Sequence, residues 1–288
     1  MSAPLEKPDN TAQIEYWNDK AAVTWTTFQE RIDAVFEPIT ALAVDAAAPA
    51  PGEHAVDVGC GCGGSLLALA ARLGPSGRVV GLDVSKPMAA RARERIAAAG
   101  LSQAEIVVAD AASHDLGGID VDLLFSRFGV MFFADPVAAF GNLRRAMRPG
   151  GRLLCVAWRP FADNPWFRVP LEAAGSLLAP QPPTDPDAPG PFAFGNADRT
   201  QSILEDAGWR GVTLTRQDVP MRFAAAGQIE QATEFATRVG ALARVLGEEP
   251  PEVRAQATAA VAEALRAYDG PDGINLTGSV WLISARAG

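Results

Sequence analysis

The chain has 288 residues, 48% of them hydrophobic, and a formal net charge of -9. That length holds one large α/β domain, or a core with a smaller cap. The acidic balance argues against a protein that tracks nucleic-acid backbones, no apolar run reaches the roughly 18 residues of a membrane-spanning helix, and the polar "MSAPLEKPDN" start is no secretory signal, so a cytoplasmic location is expected.

Residues 12–48 read as two helical segments carrying Trp17, Trp25 and Phe28, broken by Pro49, Pro51 and Gly52. Strands and helices then alternate. "HAVDV" is a short apolar strand, "SLLALAARL" a helix, "GRVVGLDV" a strand, and "KPMAARARERIAAAG" a helix that ends at Gly100. "AEIVVAD" and "VDLLFSRF" are the third and fourth strands. Asp135-Pro136 is an N-cap followed by proline at the first helical position, opening "VAAFGNLRRAM". "RPGG" turns the chain into "RLLCVAW", the fifth strand. This rhythm predicts a doubly wound, mostly parallel sheet with helices on both faces.

After Trp158 the rhythm breaks. "NPWFRVPLEAAGSLLA" reads as helical, and 180–191, with six prolines in twelve residues, as a loop. Residues 198–207 return to a helix and "GVTLTRQDV" to a strand. Residues 227–267 are alanine-rich and helical, and "INLTGSVWLISAR" is a last strand. The resulting division is an N-terminal helical lid at 1–51, a core at 52–160, 197–223 and 271–288, and lid insertions at 161–196 and 224–270.

"VDVGCGCGGS", Val56–Ser65, stands between the first strand and its helix. Its three-cysteine chain and two histidines offer no four-ligand metal site, and an odd cysteine count does not suggest a disulfide scaffold. No metal is expected. Glycines in that position turn the backbone sharply and let a ligand approach the main chain, with the unpaired N–H groups of the helix behind. Gly59, Gly61 and Gly64 satisfy G-x-G-x-x-G, while Gly59, Gly61 and Gly63 satisfy G-x-G-x-G. Asp57 precedes the loop inside the strand, where a dinucleotide fold places an apolar residue. Asp83 ends the second strand, about twenty residues on, where it suits a ribose diol in either reading. Asp110 ends the third, where it suits an adenine amino group.

Taken in order, "VDVGCGCG", "GLDVS", "VADA" and "LRRAMRPGGRL" resemble the class I S-adenosylmethionine-dependent methyltransferases, and "SRFGVMFFADPVAAFGNLRRAMRPGGRL" is similar to the ubiquinone/menaquinone-biosynthesis type. The likeness covers about residues 52–160. It implies a Rossmann-like, mostly parallel seven-stranded sheet with an antiparallel last strand, and S-adenosyl-L-methionine as cofactor. By this resemblance the backbone of Gly59, Cys60, Gly61 and Gly63 lines the methionine part, and Asp57 supports the loop or the ammonium group. Asp83 with Val84 takes the ribose side, Asp110 and Ala111 the adenine, and Met88 packs under it. Ser126, Arg127 and Phe128 border the sulfonium and the acceptor. Arg127 either clamps an acidic group of the acceptor or pairs with an acid of the protein. Tyr16, Trp17 and Trp25 are acceptor-side candidates on a helix that closes over the site. The implied partner is a small, partly apolar methyl acceptor, with carbon, oxygen and nitrogen all open, and the chain a monomer or homodimer. A non-catalytic S-adenosylmethionine-binding partner or sensor, and an NAD-dependent oxidoreductase, are the rival readings. His54 and His114 are the only histidines, and neither stands where a base for the acceptor is needed.

Overall fold

The computed structural model describes residues 10–117, 120–180 and 185–288. The first nine residues and part of the proline-rich stretch lie outside them. The rest of that stretch, from 185, carries no helix or strand. Three helices open the described chain: α1 (Thr11–Asn18), α2 (Lys20–Thr27) and α3 (Gln29–Ala47). The expectation of two segments is corrected here. The chain breaks at Asp19 and Phe28, neither of them glycine or proline, so no local signal marks the breaks.

The alternating core follows as β1 (His54–Val58), α4 (Gly64–Leu73), β2 (Arg78–Asp83), α5 (Lys86–Ala98), β3 (Ala104–Val108), β4 (Val121–Arg127), α6 (Pro136–Arg144) and β5 (Met147–Trp158). Next come α7 (Pro165–Ala174), α8 (Ala197–Asp206), β6 (Trp209–Ala224), α9 (Ile229–Arg238), α10 (Ala241–Leu246), α11 (Pro251–Leu265), β7 (Asp269–Gly270) and β8 (Gly273–Ala287).

The strands form one sheet in the order β3-β2-β1-β4-β5-β8-β6, with the two-residue β7 paired to β8 as an eighth strand. Strands β1 to β5 are parallel to their neighbours, and β8 runs antiparallel between β5 and β6. The parallel strands are covered by helices, which is why they read as apolar runs. Ala55, Val56 and Val58 of β1 are all buried, as are Leu123, Leu124 and Phe125 of β4. Asp135 caps α6 by accepting from the Ala138 amide at 3.0 Å, as its pairing with Pro136 predicts.

The strand order turns between β1 and β4. In a doubly wound sheet the crevice outside the carboxyl ends at such a point is the binding site. Two helical layers frame it. Helix α2 packs on α5 and α3, and α7 packs with α9, α10 and α11. Among the described residues no helix is long and apolar enough to cross a membrane.

Candidate cofactor and acceptor site

The glycine loop follows β1 directly. Gly59, Gly61 and Gly63 have φ of 69°, 53° and 86°, a left-handed backbone that favours glycine. Gly59 faces a second requirement. A Cβ there would lie 2.5 Å from the Cα of Gly129, so the loop and the end of β4 touch backbone to backbone. Ser126 holds that contact. Its hydroxyl donates to the Val58 carbonyl at 2.8 Å and accepts from the Gly129 amide at 3.2 Å. Ser126 is fully buried and its side chain is spent on this tie.

Phe128, between Ser126 and Gly129, has φ of 70°. A bulky residue in the left-handed region is strained, and such strain gathers at functional sites. The ring lands flat on Trp158 at the end of β5, with centroids 4.1 Å apart and planes 9° apart. Phe36 of α3 meets Phe128, Trp158, Trp166 and Trp25, and Trp17 meets Trp25 and Phe132. A continuous aromatic wall thus runs from the N-terminal helices to the ends of β4 and β5. The indole N–H of Trp166, in that wall, is buried with no hydrogen-bond partner among the described residues.

The acidic residues stand at successive strand ends. Asp83 accepts from the Gly61 amide at 2.7 Å and the Ser85 amide at 2.8 Å, one on each oxygen. It therefore shapes the glycine loop, and its carboxyl is raised by burial against those two amides. Asp110 accepts on one oxygen from the Ala112 amide at 2.9 Å and from the Asn10 side chain at 2.8 Å. Asp57 is fully buried. One oxygen accepts from Ser65 at 2.7 Å; the other has no partner among the described residues. Burial raises its carboxyl to about 7, against the Ser65 hydrogen bond and the Arg127 charge, with Asp83 adding to the rise.

Arg127 is half-buried. Its guanidinium donates to the Thr40 hydroxyl at 2.5 Å and lies 5.6 Å from the centroid of the Phe36 ring. No carboxylate pairs with it among the described residues. Cys60 and Cys62 are buried free thiols. Burial pushes the Cys62 thiol up to about 12 and the Cys60 thiol well above its ordinary value, so both are protonated loop residues. The Cys60 side chain turns inward toward Gly81, leaving only its backbone on the loop.

Helix α1 lies over these strand ends. Asn18 donates to the Val84 carbonyl and accepts from the Lys86 amide, both at 2.9 Å. Asn10 accepts from the Ala134 amide at 2.8 Å while donating to Asp110. Trp17 stands beside Trp25 and Phe132, and Trp25 beside Phe36, which in turn meets Phe128. Tyr16 turns outward at 45% exposure and joins the wall only through its edge on Trp17. Met88 is buried, with its sulfur facing Gly61. Ala111 is buried beside Asp110. Asn10, Asn18, Phe36, Trp158 and Trp166 stand around this candidate site and carry no motif in the sequence.

This arrangement suits an adenosyl amino acid. The orphan oxygen of Asp57 suits a cation. The closeness of Gly59 and Gly129 leaves the loop backbone bare for a ligand. Asp83 and Asp110, at the next two strand ends, are hydrogen-bond acceptors spaced along one crevice.

Residues 55–151 match the family model described as a methyltransferase domain. The nocamycin O-methyltransferase of Saccharothrix syringae is 29% identical over 195 residues, 65% of this chain and 70% of that one. The demethylmenaquinone methyltransferase of Bacillus cytotoxicus is 34% identical over 106 residues, 37% of this chain and 45% of that relative's length. A solved phosphoethanolamine N-methyltransferase 2 of Haemonchus contortus, in complex with S-adenosyl-L-methionine, shares the fold at a TM-score of 0.57 and 15% identity, over 94% of this chain and 59% of its own. By its glycine loop, its strand order and this family model, the chain carries a methyltransferase domain at residues 55–151.

Proposed function

We propose that the chain moves a methyl group from S-adenosyl-L-methionine to a small, partly apolar acceptor held against the aromatic wall under a helical cap. The observation that carries this reading is the direct contact of Gly59 with Gly129, which sets the glycine loop beside the strained Phe128 and its stack on Trp158. A cofactor loop and an apolar, ring-lined surface meet there at one point. When bound, S-adenosylmethionine supplies a sulfonium methyl that is electrophilic without help from the protein and whose charge disappears on transfer.

The chain's own work is then alignment and exclusion of water. Asp83 fixes the glycine loop and faces the ribose. Asp110 faces the adenine through the oxygen that Ala112 and Asn10 leave free. Phe36, Phe128, Trp158 and Trp166 hold a flat or apolar acceptor by area and ring edges. The cap comprises the described residues of 1–51, 161–196 and 224–270, around a core of the described residues of 52–160, 197–223 and 271–288. Helix α1 closes it through Asn10 and Asn18, so cofactor entry requires α1 to lift. No histidine serves as base: His54 is exposed at the start of β1, the far edge of the sheet, and His114 follows β3 on the adenine side. The names of the nocamycin and demethylmenaquinone relatives, both methyltransferases of small molecules, support the acceptor class.

The test is a transfer screen with methyl-labelled S-adenosylmethionine and a metabolite library. Label should pass to an aromatic or otherwise apolar small molecule, with S-adenosylhomocysteine formed in equal amount. Tight cofactor binding with no transfer to any member would favour a sensor or partner protein over an enzyme.

A further inference from the structure

Three arginines stand side by side on one face of the sheet, at the end away from the cofactor crevice. Arg152 of β5 is opposite Arg286 of β8, and Arg286 is opposite Arg210 of β6. Directly opposed residues of antiparallel strands share a face, with Cβ atoms about 4.5–5.5 Å apart, and like charges so placed repel. The whole chain carries a net charge of -9, so the row runs against its balance.

One of the three is matched. Arg152 holds both oxygens of Glu53, at 2.8 and 2.6 Å, and the Ala47 and Ala48 carbonyls at the end of α3. Arg286 is exposed, donates to the Gly150 carbonyl at 3.2 Å, and has no carboxylate partner among the described residues. Arg210 is exposed, and its guanidinium makes neither a hydrogen bond nor an ion pair among them. Two positive charges of the row are therefore left over.

A cavity of about 190 Å³ opens beside them, lined by Ala47, Arg152, Leu154, Gly211, Ser284 and Arg286. One water needs only about 10–15 Å³, so there is room for a small ligand. The register slips between Arg210 and Thr213, and Gly211 in that bulge has a φ of 59° with nothing within 4 Å of where a Cβ would stand. The bulge thus opens the wall next to Arg210. The Ser284 and Thr213 hydroxyls lie 2.7 Å apart. One donates to the other, so the pair has a second O–H to offer a ligand. Strand β5 runs from Arg152 here to Trp158 at the aromatic wall, roughly 20 Å away.

We propose that this cavity binds a phosphate group, free or on a small ester, through Arg286, Arg210 and the spare hydroxyl of the Ser284–Thr213 pair. Two unmatched guanidinium forks call for close to two negative charges, which a phosphate carries near pH 7 and a single carboxylate does not. Arg152, already matched, forms the wall. The site is separate from the cofactor crevice and does not depend on what binds there.

The experiment is calorimetric titration of the full chain with inorganic phosphate, glycerol 3-phosphate and acetate at about pH 7 and constant ionic strength. Phosphate or its ester should bind at one site, and the tighter of the two tells free anion from ester. Acetate, with a single charge, should bind at least about tenfold more weakly. Arg286→Gln should weaken the phosphate probe by about 10- to 150-fold, the range for a lost hydrogen bond to a charged group. Arg286→Lys, which keeps the charge and loses the fork, should fall between. Arg216→Gln is the control: it removes another exposed arginine of β6, one paired with Asp218 at 2.8 Å, and should change affinity by less than about twofold. Cooperative denaturant unfolding shows that each variant is folded. Saturating S-adenosylhomocysteine should leave phosphate binding unchanged. No heat from either phosphate in the wild type would overturn the inference. So would acetate binding as tightly, an equal loss in Arg286→Gln and Arg216→Gln, or displacement of phosphate by S-adenosylhomocysteine.

Discussion

Replacing Gly59 with alanine is expected to destabilise the native chain by about 2–5 kcal/mol. Two costs add. At φ of 69° an L-residue is disfavoured by about 1–2 kcal/mol. The new methyl would also meet the Cα of Gly129 at 2.5 Å, and that neighbour is backbone, which cannot swing aside. Overpacking of this kind costs about 1–3 kcal/mol. Gly150 provides the control. Its φ is 76°, yet a Cβ there meets nothing within 4 Å, so Gly150→Ala should lose only the backbone part. Denaturant titration of both variants separates the two costs. Equal losses would mean that the loop and the end of β4 are not in contact.

The second large effect is on binding. Asp83→Ala should weaken S-adenosylhomocysteine by about 10- to 150-fold, the range expected when hydrogen bonds to a charged acceptor are lost. The Gly61 and Ser85 amides are also left without their acceptor, so the glycine loop loosens and part of the loss arises there. Asp83→Asn retains one oxygen and should recover part of the affinity. Calorimetry with both variants gives the measurement. Affinity equal to the wild type in Asp83→Ala would show that this strand end does not face the cofactor.

Much of the core was legible because its signals are local. "HAVDV" is a strand of five residues bounded by a turn and glycines, and β1 spans those five residues. Asp135-Pro136 and Gly100 mark helix ends through capping chemistry that depends on a few neighbouring residues. The order of glycine loop, Asp83 and Asp110 was legible for the same reason, since each stands at the end of a recognisable strand. What escaped depends on distant parts of the chain. The strain at Phe128 stands next to the Gly59–Gly129 contact, which no local pattern encodes. Phe36, Trp158 and Trp166 carry no motif, and only the sheet brings α3, β5 and α7 to one corner. Asn10 and Asn18 carry no motif, and only the docking of α1 gives their carboxamides the amides, carbonyl and carboxylate they hold. Arg127 was legible as a charged residue at a strand end. Its lack of an acidic partner was not.

The central claim is that the crevice at the β1–β4 switch takes an adenosyl amino acid. Calorimetric titration of the wild-type chain with S-adenosylhomocysteine at about pH 6, 7 and 8 tests it most directly. Asp57 is raised to about 7 by burial, with Ser65, Arg127 and Asp83 as its polar and charged neighbours. Only its ionised form pairs well with an ammonium. Below 7 the carboxyl must give up a proton on binding, and above 7 it is already charged. Affinity should therefore rise roughly tenfold from about pH 6 to about pH 8, with proton release at the acid end. NAD should show no binding. Binding of NAD with no heat from S-adenosylhomocysteine at any pH would contradict the account.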